Sequence, residues 1–168
     1  MLYFDEDDLE LIFNLIVKHY SDREEVPNYL NEQEGIKNLL GVFERVHMDF
    51  YPSLIDKAVC LFVQINKGHF FSNGNKRLAL VTAIGFLNIN DKKVANLSRE
   101  KFKEILLSLF PKCEDTLEDQ KDFSPEEYAL YNLSVIVADS YRHISEKEGF
   151  EVLKQKVANF FNEVITDY

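Results

Sequence analysis

Apolar residues recur with a helical period along most of this chain. Leu9, Ile12, Phe13, Ile16 and Val17 form a first stripe that ends near Tyr20. Asn31 followed by Glu34 reads as a capping box, and Leu39, Leu40, Phe43 and Val46 continue a second helix. Pro52-Ser53 opens a third, with Ile55, Ala58, Val59, Phe62 and Ile65 turned inward and Gly68 at its end. Asn73-Gly74 is a turn, and a fourth helix runs from about Asn75 to Leu87. Ser98 caps a fifth. Ser124-Pro125-Glu126-Glu127 is the clearest start in the chain: a cap, proline at the first helical position, and an acid three residues on. That helix reaches about Tyr141, and a last one follows from about Glu146 to Val164. The charged, irregular segment from Lys112 to Phe123 reads as an exposed loop. Ser21 to Tyr29, with Pro27 in it, is a second connection, and a short hairpin would fit there. The expected fold is an all-α bundle of about seven helices, with no repeat and no low-complexity tract.

Length agrees with a single domain over residues 1–168, long enough to bury a core. No segment approaches the roughly 20 uninterrupted apolar residues of a membrane span. The first eight residues are acidic where a signal peptide would be basic, so a cytoplasmic protein is expected. Cys60 and Cys113 have no metal-type spacing and read as reduced and structural, Cys60 within an apolar helix. A net charge of −10 argues against nucleic-acid binding, which rests on cations meeting phosphates. The distribution of charge says more. From Lys57 to Asn90 there is no Asp or Glu, although the whole chain holds 29 acids, and the window carries Lys57, Lys67, Lys76 and Arg77. Such a segment suits a small polyanion. It also suits a buried core, since Ala58 to Val63 and Leu78 to Leu87 are largely apolar.

The candidate chemistry lies inside that window, in His69-Phe70-Phe71-Ser72-Asn73-Gly74-Asn75-Lys76-Arg77. A turn leading into a helix offers backbone N–H groups to an anion. Lys76 and Arg77 at its far end can hold phosphate, and His69 at its near end can move a proton. The run reads H-x-F-x-x-G-N-K-R and resembles the signature of the Fic/Doc superfamily. Six fixed residue types make a chance match roughly one in tens of millions per start position. The apolar continuation from Leu78 to Asn90, ending in Phe-Leu-x-x-Asn, is similar to the death-on-curing (Doc) branch. The resemblance covers about residues 9–93 and leaves the helices of 98–168 as accessory.

What the resemblance implies is a Fic-fold helical enzyme. It would transfer a phosphoryl or nucleotidyl group from ATP, or another nucleoside triphosphate, to a hydroxyl of a protein substrate. His69 would be the general base. Gly74, Asn75 and Lys76 would supply backbone N–H groups to the phosphates, and Arg77 would hold phosphate oxygens through its fork. Gly74 would leave room for their approach. Phe71 would anchor the loop. Lys76 stands where many members carry glycine, and Asn-Lys-Arg is typical of the Doc branch, whose founding toxin phosphorylates a translation factor.

Asn73 departs from the pattern, because most active members hold Mg²⁺ there with Asp or Glu. An amide oxygen brings no charge to a hard cation. Three outcomes are open: nucleotide and water hold the metal, a carboxylate reaches in from elsewhere such as Ser21 to Tyr29, or transfer is poor. Many members also carry an inhibitory [S/T]-x-x-x-E-[G/N] helix. Leu30-Asn31-Glu32-Gln33-Glu34-Gly35 has its Glu-Gly but leucine at the hydroxyl position, so inhibition by a separate antitoxin, as in the Doc branch, is the matching expectation. Two other readings stand beside the enzyme. One is a weakened Fic-fold regulator that binds nucleotide or a partner. The other is a structural helical interaction module.

Overall fold

A computed structural model describes residues 1–20, 28–120, 122–145 and 149–168. It divides into two compact units, Met1–Asn90 and Asp91–Tyr168.

The first unit contains α1 (Leu9–Tyr20), α2 (Gln33–Val46), α3 (Leu54–Gly68) and α4 (Asn75–Ile89). α3 and α4 pack along each other, α1 lies against α4 and α2 against α3. Lys57 to Val63 are all buried, as are Leu78 to Leu80 and Phe86 to Leu87, so α3 and α4 form the centre. Burial of side chains such as Phe62, Ile65, Leu78 and Phe86 contributes about 1.5–3 kcal/mol each. Ser53 begins α3 with a reciprocal capping box: its hydroxyl accepts from the Asp56 N–H, and the Asp56 carboxylate accepts from the Ser53 N–H. The first residues strap the far end of α4. The Leu2 N–H donates to Asn90 Oδ1 at 2.7 Å, and Asn90 Nδ2 donates to the Leu2 carbonyl at 3.0 Å. Phe4 packs on Phe43 and Phe86, with ring centroids 5.7 and 6.4 Å away.

The second unit contains β1 (Lys92–Val94), α5 (Arg99–Leu109), α6 (Pro125–Ala138), α7 (Ser140–His143), α8 (Gly149–Val164) and β2 (Ile165–Asp167). The two strands pair antiparallel, Lys92 opposite Asp167 and Val94 opposite Ile165. α5 packs on α6 and α8 around Phe102, Phe110, Leu133, Val157, Phe160 and Phe161. Ser98 Oγ accepts from the Lys101 N–H and caps α5. Ser124 and Glu127 form the reciprocal box that starts α6.

The all-α expectation holds, and the described residues contain eight α-helices, one of them a single turn. The extra helix arises because the segment expected to run to Tyr141 breaks at Asp139 (φ −98°, ψ 30°). The break lets His143 and Ile144 turn into the core. Other local expectations are corrected. Val17 is 43 % exposed, because Leu9, Ile12, Phe13 and Ile16 already supply the buried stripe of α1. Asn31 and Glu34 form no capping box. Asn31 ends a 3-10 turn over Tyr29–Asn31, and α2 starts at Gln33 with no side-chain cap. Lys112 to Phe123 is not wholly an exposed loop. Pro111–Thr116 forms a 3-10 helix that buries Cys113, and burial pushes that thiol up to about 11. Asn132 then ties down Glu118, accepting from its N–H and donating to its carbonyl, both at 2.8 Å. Residues 21–27 of the connection expected to hold a hairpin lie outside the described residues. Separately, a small antiparallel sheet joins the two ends of the second unit. Cys60 and Cys113 are both buried free thiols. No helix among the described residues is long and apolar enough to cross a membrane.

Candidate functional site

The run from His69 to Arg77 joins the two central helices of the first unit. α3 ends at Gly68, and His69, exposed, takes a left-handed conformation (φ 48°, ψ 45°) as its C-cap. A non-glycine residue there is uncommon and carries a local cost. Gly74 is the N-cap of α4 at φ 74°, ψ 10°, a region that glycine enters freely, and no side chain caps this helix. The first N–H groups of α4 therefore lack a side-chain partner at the cap, and they are followed by exposed Lys76 and half-buried Arg77.

Three sets of contacts give the loop its shape. The first is aromatic. Phe71 is buried and meets Tyr29 and Phe13 edge-on, with centroids 5.0 and 5.9 Å away, while Phe13 and Tyr29 stack at 4.8 Å. Tyr29 then donates its hydroxyl to the Gly74 carbonyl at 3.0 Å, which ties the α4 N-cap to the 3-10 turn before α2. The second set is local. The Asn75 side chain brackets Phe71, accepting from its N–H at 3.0 Å and donating to its carbonyl at 2.7 Å. Asn75 thus closes the loop with its amide while its own N–H stands in the first turn of α4. The third comes from α2. Gly35 is buried where an added Cβ would lie 2.6 Å from the Phe70 carbonyl oxygen and 2.7 Å from the Phe71 ring. One turn earlier, the Glu32 carboxylate accepts from the Ser72 N–H at 2.7 Å and from the Ser72 hydroxyl at 2.6 Å.

The sequence expectation concerning cations changes at one position. Lys57 does not face the loop: it is buried, its ammonium donating to the carbonyls of Val46 and Met48 and lying over the Tyr3 ring. There it meets the negative end of α2. The cations of the acid-free window that stand at the start of α4 are Lys76 and Arg77. Nor is the loop free of acid in space, since Glu32 comes to it across 40 residues.

Asn73 is exposed, and its Oδ1 accepts from the N–H of Gly74 at 2.7 Å. One lone pair of the oxygen that a metal would use is thus engaged by one of the N–H groups that an anion would use. Among the described residues no group of three His, Cys, Asp or Glu side chains could hold a metal ion. Among the described residues, the donor set at this loop does not fit a Mg²⁺ ion held by the protein, and most of the connection expected to lend a carboxylate, residues 21–27, lies outside them.

Sequence reasoning missed Glu32, Gly35, Tyr29 and Phe13. Nothing in the helical period distinguishes these four from other capping or core positions.

A comparison with protein-family models matches residues 3–87 to the Fic/DOC family. Neither the curated proteins nor the solved structures compared contain a match to this chain. The matched stretch is the first unit almost entirely, with α1 to α3, the loop from His69 to Gly74 and α4 as far as Leu87 inside it. It spans just over half of the 168 residues, and this chain belongs to the Fic/DOC family.

Proposed function

We propose that this protein is a transferase of the Doc type. It moves a phosphoryl or nucleotidyl group from ATP, or another nucleoside triphosphate, onto a Ser, Thr or Tyr hydroxyl of a target protein. The observation that carries the reading is the family signature at an α4 N-terminus that has a left-handed glycine, no side-chain cap and two adjoining cations. The N–H groups of Asn75 and Lys76 and the Arg77 fork bind the phosphates, and Gly74 leaves them room. His69 takes the proton from the attacking hydroxyl as the new O–P bond forms. The nucleoside diphosphate leaves if the γ-phosphorus is attacked, and diphosphate leaves if the α-phosphorus is attacked. Asn-Lys-Arg favours the first outcome and a translation factor as target. The setting is cytoplasmic, a separate antitoxin restrains the site, and nucleic acid is not a partner, as the charge of −10 suggests. No step is assigned to a protein-held Mg²⁺.

The test is label transfer into lysate proteins from ATP labelled at the α or the γ position. A band from γ-label alone, lost in His69→Ala, is the expected result; a band from α-label makes the protein a nucleotidyltransferase. No His69-dependent band from any nucleotide refutes the transferase.

One observation favours a second reading, a nucleotide-binding regulator with little transfer: Asn73 Oδ1 is uncharged and already accepts from the Gly74 N–H. In that case Asn73→Asp gains a large activity over wild type, whereas equal activity removes the reading.

A further inference from the structure

Most of what holds the signature loop is uncharged and inward: the Phe13–Tyr29–Phe71 cluster, the Asn75 amide and the bare face at Gly35. The Glu32–Ser72 contact differs in kind. Glu32 stands in the N-cap position of α2, yet its side chain makes no cap bond there. The shorter aspartate is the acid that caps its own helix at that position, and glutamate is not among the preferred caps. Here both carboxylate oxygens leave α2 and take the two donors of a single loop residue, at 2.7 and 2.6 Å. Both lie at the short end for bonds to an ionised acceptor, the stronger class. Ser72 lies between the buried anchor Phe71 and Asn73, whose side chain in turn fixes the Gly74 N–H. The series Glu32, Ser72, Asn73, Gly74 therefore connects the start of α2 to the N-cap of α4 through hydrogen bonds and one peptide link.

We propose that Glu32 is a positioning residue for the signature loop. It holds the Ser72–Asn73–Gly74 turn in the conformation that presents the α4 N-terminus, without itself touching the nucleotide. This rests on the reading of that N-terminus as the phosphate site. The reason is preorganisation: a loop already held in its binding conformation does not lose conformational freedom when the ligand arrives. An unlatched loop populates that conformation only in part, and apparent affinity falls by the same fraction.

The experiment compares Glu32→Ala and Glu32→Gln with wild type in the full-length protein. ATP binding is measured by calorimetry, and amide hydrogen exchange is followed at Phe71 to Lys76. Glutamine keeps an acceptor for the Ser72 N–H and removes the charge. The expected result is about tenfold weaker ATP binding in Glu32→Ala (~1.4 kcal/mol), faster exchange confined to the loop, and recovery of most of both losses in Glu32→Gln. A uniform rise in exchange over the whole first unit would mean a merely structural role and overturns the proposal. So does ATP binding in Glu32→Ala that equals wild type. Tighter binding in both variants also overturns it, because the carboxylate would then be competing with phosphate for the loop. Should wild type bind no nucleotide, the transferase reading falls by itself. Loop exchange then decides the latch: faster in Glu32→Ala upholds it, unchanged removes it.

Discussion

At Gly35 a hydrogen atom is all that stands between α2 and the Phe70 carbonyl. A methyl carbon would lie 2.6 Å from a backbone oxygen and 2.7 Å from a buried ring, and neither can swing away as a flexible side-chain end would. Gly41, on the same helix, has nothing within 4 Å of the equivalent position. The two glycines therefore respond with opposite sign. Gly41→Ala gains up to about 1 kcal/mol from helix propensity. Gly35→Ala loses about 1–3 kcal/mol, because displacing the loop outweighs the same gain. Urea unfolding of the two variants checks this, and equal effects would show that the loop yields at no cost. Residues of this kind explain the limit of what the sequence discloses. His69, Gly74 and Arg77 stand out as candidates because the motif fixes their types at fixed spacing, and Lys76 because it lies between two of its positions. Gly35 and Glu32 act through space, 35 and 40 residues from their partners Phe70 and Ser72, and no local pattern records such a pairing.

The elements were the most legible part of the chain, and legibility followed local chemistry. Ser98 and Ser124 announced their helices because a hydroxyl at an N-cap satisfies N–H groups within the next turn. Asn31–Glu34 carried a similar spacing and failed, because the chain before α2 is spent on a 3-10 turn that seats Tyr29 on Phe13 and Phe71. Lys112 to Phe123 reads as loop because a single buried residue of the Pro111–Thr116 helix, Cys113, gives too little periodicity for a helical signal. The α6 start permits a direct measurement. The Ser124 hydroxyl accepts from Glu127 N–H at 3.1 Å, and Glu127 Oε2 accepts from Ser124 N–H at 2.8 Å. Ser124→Ala is expected to lower stability by about 1 kcal/mol and Ser124→Gly by a few tenths. Thermal melts that place both variants at the wild-type midpoint would contradict this.

Across the whole molecule, the net charge of −10 makes acidification relieve repulsion, while one buried group works against that trend. His143 is 5 % exposed, and its Nδ1 has no hydrogen-bond partner among the described residues. Burial, aided by Arg142, holds its pKa below the ordinary 6.5, while Asp139 and a hydrogen bond with the Lys112 backbone act in the opposite direction. As pH falls past 6.5 the unfolded chain takes up a proton that the folded one resists. The contribution of His143 is thus complete above that value and is lost as pH drops toward the folded pKa. Melting midpoints recorded from pH 7.5 to 5.5 are expected to fall more steeply for wild type than for His143→Leu. Parallel curves would exclude His143 as the source.

The strap between Leu2 and Asn90 bears on how the protein is made. Its two partners lie 88 residues apart, so Leu2 cannot complete its contacts until the end of α4 has been translated. At roughly 5–20 residues per second, that interval lasts about 4–18 s. During it Phe4 lacks the Phe86 ring on which it packs in the finished fold. A nascent chain stalled before residue 86 would hold Phe4 against Phe43 alone, with half of its aromatic seat missing and that ring open to a chaperone.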